Sequence, residues 1–591
     1  MDEFAPSVTR RQLLAGAGVA TAGVLSGCSE RLRLAAEQSP YDQVGISITT
    51  LPADDDVMAA KIAGQLAGNL RAAGIDAGHE PIDEPELYRQ VLLNREYDIF
   101  VTRHPGYDDP DALRSLLHSD FINEQGWQNP FGFSDGTVDE LLESQCRAEG
   151  YERKAVFDDL FEHLDGSAPF TAVAFPNHLG AAAADLELTR TPRRPLEYLE
   201  LVARRSAETD EESPLRIGVV EETMTERLNP IAVDIGDVNA VLELLYDPLV
   251  RHTEAGPVPW LAESVDWDDS GGSLEAVVDL HEGVTWHDGE PLDAADVAFT
   301  IRLLEDTSLG EVESGIPAPR YRGRTTLIEN VRAVGEDRVR FSFGEHTSEV
   351  AQRALMVPIL PEHIWEQRTE PINNYLTEAL DWDNEEPIGS GLYAFAESTS
   401  GEFVELEPYE EHVLHDVDIQ HHPGLFDEVD LADPIEFRVT PNIGAAVNSL
   451  VEGDLDLVGT PLAPEEFQKI EDTEDVETLT SPTRSFYIVG YNLKHPELNN
   501  PRFRRVVSQL LDREYIVDDE TFFDGYAIEP TAIDSLVGLQ PGRWNFPRTD
   551  ANAQTESTFE FPGTDGEVDE SVVRALFEDA GYRYDDGELV A

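Results

Sequence analysis

Four histidines, His412, His415, His421 and His422, fall within eleven residues in "EPYEEHVLHDVDIQHHPGLFDEVDL". Imidazoles beside carboxylates are the donor set that borderline divalent metals take. A second pair, His287 and Asp288, has the residue types of an acid–base couple, but it sits in a tight turn closed by Gly289. No nucleophile and no metal-ligand spacing accompanies that pair, so turn chemistry is the better reading. H-E-x-x-H does not occur, and the one G-x-S-x-G match, Gly132–Gly136 in "WQNPFGFSDGTV", does not follow a strand pattern as a nucleophile elbow requires, which leaves a salt-adapted exported hydrolase as the weaker alternative. The chain has two cysteines, Cys28 and Cys146, too few for a disulfide framework. The chemistry on offer is recognition rather than bond-making.

The elements that position such residues must come from more than one core, because 591 residues exceed what one core holds. Acidic residues number 118 against 42 basic ones, a formal net charge of -76, and only Lys61, Lys154, Lys469 and Lys494 are lysines. Hydrophobic residues still make up 41%, with seven Trp and 25 Phe, so the acid covers a folded chain rather than a disordered one. Such a surface is expected of a halophile. In molar salt the Debye length falls to about 3 Å and self-repulsion is screened. No basic stripe exists to neutralise phosphates, which argues against nucleic acid.

The first 28 residues read as an address. Arg10 and Arg11 precede an apolar run from Leu13 to Gly27, about 22 Å as a helix and short of the roughly 30 Å hydrocarbon core. A secretory leader fits better than a membrane span. "TRRQLL" resembles a twin-arginine signal, and "LSGC" resembles a lipobox whose cysteine, Cys28, is lipidated. Residues 29–44 are then a flexible tether.

From Val44 onward strands alternate with helices. "VGISITT" has period 2, and Met58, Ile62, Leu66 and Leu70 form an i, i+4 spine ended by Gly74. "IDAGHEPI", the helix "EPELYRQVLLNR" and the strand "YDIFVT" follow. One helix between successive strands predicts a parallel sheet, with "RHPGYDDPDAL" beyond its carboxyl edge. "RRSAETDEESP", near 204–214, is a polar linker, and "LRIGVV" opens a fresh strand. Asp293 stands at the N-cap of a helix with Asp296 three residues on. At the far end, the helix in "ALFEDAGYRYDDGELVA" stops at Gly581, and the chain then ends where another strand is expected.

"LYDPLVRHTEAGPVPWLAESVDW" and "LHEGVTWHDGEPLDAADVAFTIRLLED" resemble extracellular solute-binding family 5, the peptide-, nickel- and oligosaccharide-binding receptors of ABC importers. "PIGSGLYAF" resembles the family's glycine turn, and "VNSLVEGDLDLVG" a helix and strand beside the cleft. "SFYIVGYNLKHPELNNPRFRRVVSQLLDREYIV" resembles the crossing into the second lobe. The segments that the family places after "ALFEDAGYRYDDG" stand here at the other end, from Gly45 to about Asn177, in order. The resemblance therefore implies an α/β, two-lobed periplasmic-binding-protein-like fold of type II, the large variant with an extra subdomain, circularly permuted. The rival accounts are a truncated second copy and a domain-swapped dimer.

On that reading 45–175 is the second lobe, 176–214 the return to the first lobe and linker, 215–249 first lobe and 250–385 the small subdomain. Residues 386–484 return to the first lobe, and 485–591 complete the second. The resemblance implies ligand-binding roles for Glu222, Thr223, Met224, Ser390, Phe486, Tyr487, Tyr491, Tyr107 and Asp108. Core packing competes with that role for each aromatic, and a solvated acidic surface competes for Glu221 and Glu222. Peptide binders of the family place an aspartate shortly before Asp109-Pro110. Gly106 or Tyr107 falls there, with Asp108 as the candidate substitute, so peptides and oligosaccharides both stay open. The histidine-rich stretch is longer than the family's connection at that point, which implies a surface loop. No catalytic residue, metal or cofactor is expected. The implied partners are a small solute, ABC permease subunits and the outer face of the cell membrane through Cys28, for a monomer outside the cell. A sensory receptor of the same fold is the alternative.

Overall fold

The computed structural model describes residues 42–107, 109–208, 213–232, 239–253, 256–415, 433–471, 473–530 and 560–590. Arg10, Arg11, Cys28, Asp108, His421 and His422 lie outside them, as does the tether up to residue 41.

Helix Val57–Ala72 shows why the first elements form. Asp56 caps it by accepting from the Ala59 amide, and Met58, Ile62, Leu66 and Leu70 are all buried along one face. Gly74, at φ +81°, turns the chain into the strand Asp76–Pro81. That strand and Ile99–His104 both pair parallel with Gly45–Thr50, as one helix per crossover predicts. "EPELYRQVLLNR" departs from the single helix expected. Glu84–Tyr88 is α-helical, and Arg89–Asn94 is a wider π turn that still sends Leu87, Val91 and Leu92 into one core.

The six-stranded sheet runs Asp76–Pro81, Gly45–Thr50, Ile99–His104, Phe486–Tyr491, Phe170–Pro176, Ala527–Ile528. It has a core on each face. Ile99 and Val101 join helix Val57–Ala72 on one side, and Phe100 packs with Leu113, Phe131 and Phe170 on the other. The terminal hairpin, Arg583–Asp585 with Glu588–Val590, also belongs here. Leu589 is buried in the first of these cores and accepts from the Val44 amide at 2.9 Å, while Gln43 pairs antiparallel with Val590.

A seven-stranded sheet runs Tyr393–Thr399, Phe403–Pro408, Ile435–Val439, Leu215–Val219, Leu457–Val458, His178–Ala183, Val476–Ser481. A smaller antiparallel sheet of four strands, built from Ala262–Asp268, Leu274–Leu280, Asn330–Ala333 and Arg338–Gly344, is covered by helix Ala294–Glu305. Asp293 and Asp296 form a complete capping box at that helix. One continuous core runs from Leu215 and Ile217 of the large sheet to Val339 and Phe341 of the small one. Bodies that share a core move together, because interdigitated side chains resist sliding. The small subdomain is thus fixed to the seven-stranded lobe, and the six-stranded lobe packs on two cores of its own, meeting the shared one through Cys146.

Candidate functional site

Among the described residues the chain passes between the two large sheets twice, at Asn177 and at 482–485. The two passages lie side by side. Thr483 Oγ1 donates to the Pro176 carbonyl at 2.8 Å, and His178 pairs with Ser481. Two adjacent strands joining two separately packed bodies make a hinge, since a few φ/ψ changes there reorient whole lobes.

Beside the hinge lies the carboxyl edge of the parallel strands, where open α/β sheets bind ligands. Arg103, one residue from the end of its strand, donates to Ser485 Oγ at 3.0 and 2.9 Å and so reaches across to the crossing. Tyr487 donates to Asp56 Oδ1 at 3.0 Å. Burial raises the Asp56 carboxyl above its ordinary value, opposed by the Ala59 amide, the Tyr487 hydroxyl and the charge of Arg103. The edge thus presents a cation, a carboxylate largely withdrawn from water and two hydroxyls, a set that can orient a zwitterionic or polar solute. Replacing Tyr487 by phenylalanine is expected to cost about 1 kcal/mol and to raise the Asp56 pKa further. Titration of Asp56 by carbonyl-carbon NMR checks this, and an unmoved pKa would show that the bond is idle.

The six-stranded lobe also touches the small subdomain. Arg353 donates to Asp111 Oδ2 at 2.5 Å, and Asp111 in turn takes Arg114 at 3.1 Å and Gln145 at 2.6 Å. Around this buried centre Arg153 pairs with Glu349 at 2.7 Å, Arg322 donates to Glu124 at 2.9 Å, and Gln128 donates to the Pro319 carbonyl at 2.8 Å. These contacts hold the edge of one lobe against the body that carries the other, so they act as a latch on the hinge.

The residues singled out in sequence fall into three groups. Phe486 and Tyr491 are fully buried: Phe486 packs on His104, Tyr107 and Phe175, and Tyr491 bonds Thr171 at 2.7 Å. Tyr487 and Tyr107 are buried as well, Tyr487 with its hydroxyl at the edge cluster. Met224 belongs to the core of the seven-stranded lobe, and Ser390, with no exposed surface, accepts from the Asp247 amide. Glu222 and Thr223 are exposed, and the Thr223 amide donates to Glu221. The structure therefore brings Tyr107, Phe486 and Tyr487 to one end of one sheet and leaves the 222–224 segment and Ser390 on the other lobe. Sequence reasoning placed Arg103 in the stretch beyond the carboxyl edge without giving it a role and passed over Asp56, which stands at a helix N-cap after a predicted parallel strand, and that position was the available signal.

One expectation is corrected. His412 is not on a surface loop: it is buried, with Nε2 2.8 Å from Asp247 Oδ2, and His415 Nε2 approaches the Tyr409 carbonyl. A carboxylate 165 residues away draws the ring inward, a partner that local composition does not reveal. His287 likewise serves the fold, with Nε2 2.9 Å from the Gly391 carbonyl.

A family model described as bacterial extracellular solute-binding proteins, family 5 Middle, matches residues 256–590. The chain is similar to the oligopeptide-binding protein AppA of Bacillus subtilis (strain 168), 27% identical over 309 residues, covering 52% of this chain and 50% of that one. It is also similar to the probable di/tripeptide-binding protein 5 of Pseudomonas aeruginosa (strain UCBPP-PA14), 24% identical over 322 residues, covering 52% and 56%. The chain spans about half the length of the curated relatives it matches. Among solved structures, AppA from Bacillus subtilis in complex with a nonapeptide aligns with TM-score 0.45 and 21% identity over 64% of this chain and 66% of that one. NikZ from Campylobacter jejuni in complex with Ni(L-His) aligns with TM-score 0.43 and 21% identity, over the same shares.

Proposed function

Because the chain belongs to the bacterial extracellular solute-binding proteins, family 5, we propose that it is the substrate-binding receptor of an ABC importer. It captures a small solute, of the peptide or oligosaccharide class, by closing the six-stranded lobe onto the seven-stranded lobe, and delivers it to a membrane permease. The observation that carries this reading is mechanical: two separately cored bodies meet at two adjacent crossings, with a polar edge beside them. Receptors of this kind perform no chemistry of their own, and no catalytic residue is assigned.

The remaining features complete the same proposal. Arg10 and Arg11 direct export, Cys28 carries a lipid, and the monomeric protein works outside the cell, tethered to the membrane, in strong salt. Among the described residues no helix is long and apolar enough to cross a membrane. The segment order is that of a circular permutant in which the strand at Gly45 follows the hairpin at Glu588–Val590. The 2.9 Å bond from Val44 to Leu589 supports this, because the two segments already meet as neighbours. Permutation is tolerated where ends are close and at the surface.

A thermal-shift screen of peptides and oligosaccharides in molar KCl, on protein lacking residues 1–28, tests the receptor reading. A ligand at a hundred times its Kd is expected to stabilise the folded state by about 2.7 kcal/mol. Small-angle scattering of the same sample should show a smaller radius of gyration. A broad panel that moves neither quantity overturns the proposal.

A further inference from the structure

We infer that the seven-stranded lobe carries, beside the hinge, a buried binding site for one small monovalent anion, a halide, formed by His178, Thr191 and Ser481. His178 and Ser481 are register partners on the antiparallel strands His178–Ala183 and Val476–Ser481, the last rung before the crossing. Directly opposed residues of such a pair point to the same face, with Cβ atoms about 5 Å apart. Gly180 follows two residues on and therefore offers that same face. A methyl on Gly180 would meet Thr191 Oγ1 at 2.0 Å, so the Thr191 hydroxyl lies on this face too, over the neighbouring position.

None of the three residues keeps more than 4% exposure. His178 Nε2, Thr191 Oγ1 and Ser481 Oγ are each cut off from solvent and have no hydrogen-bond partner. Buried polar atoms are almost always paired, and an unpaired one bears its full desolvation cost. Three of them on one patch mark a place built for a polar occupant. Leu479 and Ala182 share the face and belong to the lobe's core, which leaves room for a small occupant only.

The sign of that occupant follows from the donors and the charges around them. Two hydroxyls and an imidazole can each turn a hydrogen toward one point. Burial, then the charges of Arg193 and Arg103, push the His178 pKa well below the ordinary 6.5, so the ring is neutral at pH 7. Both charges that act on the ring are positive, and among the described residues no carboxylate opposes them. A cation is repelled there, and water gains nothing from the two charges. A halide gains from both and accepts from all three groups, and hydrogen bonds to a charged acceptor are the strong ones.

The site shares no side chain with the edge cluster but adjoins it. Ser481 ends its strand immediately before the crossing. Pro176, two residues before His178, accepts from Thr483 Oγ1, which in turn contacts the Ser485 hydroxyl that Arg103 grips. A bound halide therefore fixes the last rung of this lobe beside the strands that must bend.

Thermal midpoints of the whole protein in molar potassium sulfate, with KCl or KBr replacing sulfate at constant ionic strength, test this. Wild type is expected to gain stability saturably with either halide. T191V and S481A are expected to bind halide about tenfold more weakly, the share of one hydrogen bond to a charged acceptor. In halide-free sulfate the T191V midpoint should equal or exceed that of wild type, because the variant loses a buried hydroxyl that had no partner. Anomalous scattering from wild-type crystals grown in KBr should place one bromide among His178, Thr191 and Ser481, a reading that stands even if a variant misfolds. A water at that position, midpoints indifferent to halide, or equal halide responses in wild type and both variants overturn the inference. A bromide peak without any halide response of the midpoint is an adventitious ion only and overturns it as well.

Discussion

Replacing Arg353 by methionine is expected to weaken solute affinity by a hundredfold or more while leaving each lobe folded. Arg353 belongs to the small subdomain and Asp111 to the opposite lobe, and neither side chain retains more than 7% exposure. Removing one partner of a buried pair costs about 3–5 kcal/mol, because the other charge stays out of water. On the proposed hinge motion, the penalty falls on the arrangement in which the two bodies touch. On opening, Asp111 gains solvent and keeps Arg114, Gln145 and Cys146 from its own lobe. The variant should therefore scatter X-rays as a larger particle and bind solute in proportion to its shrunken closed population. The double variant D111L/R353M removes both charges and is expected to recover most of the affinity, as apolar replacement of a buried pair is often neutral. An unchanged radius of gyration in R353M would show that the contact is incidental to closure.

Acid tests the same contact with a definite sign. Burial pushes the Asp111 carboxyl up, but the charges of Arg114 and Arg353, then the hydrogen bonds from Gln145 and Cys146, outweigh it and hold it well below the usual range. The unfolded chain therefore binds the proton first, so this group's stabilisation is complete above the ordinary value of 3.8 and fades as pH falls through its lower folded value. The latch should survive to about pH 4 and open only in stronger acid.

What was legible in the sequence follows from periodicity and caps. The spine from Met58 to Leu70, the parallel pairing around Gly45–Thr50 and the Asp293 capping box each rest on residues within a few positions of one another. The ends of the candidate site were harder. Phe486 and Tyr491 looked like cleft aromatics because a crossing strand was correctly recognised. That strand lies fourth in a sheet with a core on each face, and alternation cannot separate a packed face from a ligand-facing one when both are covered. Asp111 with Arg353 and His412 with Asp247 are pairs 242 and 165 residues apart, so no window of sequence contains both members.

Alanine at Gly391 is expected to destabilise the seven-stranded lobe by about 3 kcal/mol or more, and the geometry around "PIGSGLYAF" shows why a glycine turn stands there. A methyl on Gly391 would lie 1.9 Å from the Leu244 carbonyl oxygen, and one on Gly389 equally close to that of Leu245. Both obstacles are backbone at the end of helix Asn239–Leu245, which cannot rotate away as a side chain would. The approach is productive, since the Gly391 amide donates to the Leu245 carbonyl at 2.8 Å. His287 clamps the same turn from the other side. Its Nδ1 accepts from the Gly389 amide at 3.2 Å, and its Nε2 donates to the Gly391 carbonyl. That arrangement needs the neutral ring, and burial lowers the pKa to about 4 from the ordinary 6.5. The unfolded state then binds more protons between those values, so His287 makes stability rise with pH across that window and fall again on acidification. Denaturant midpoints of wild type, G391A and H287A between pH 4 and 7 test both statements. G391A should be weakened at every pH, and H287A should lose part of the acid-side slope. A G391A midpoint equal to that of wild type would mean that the helix end yields, and the turn would then need another explanation for its two glycines.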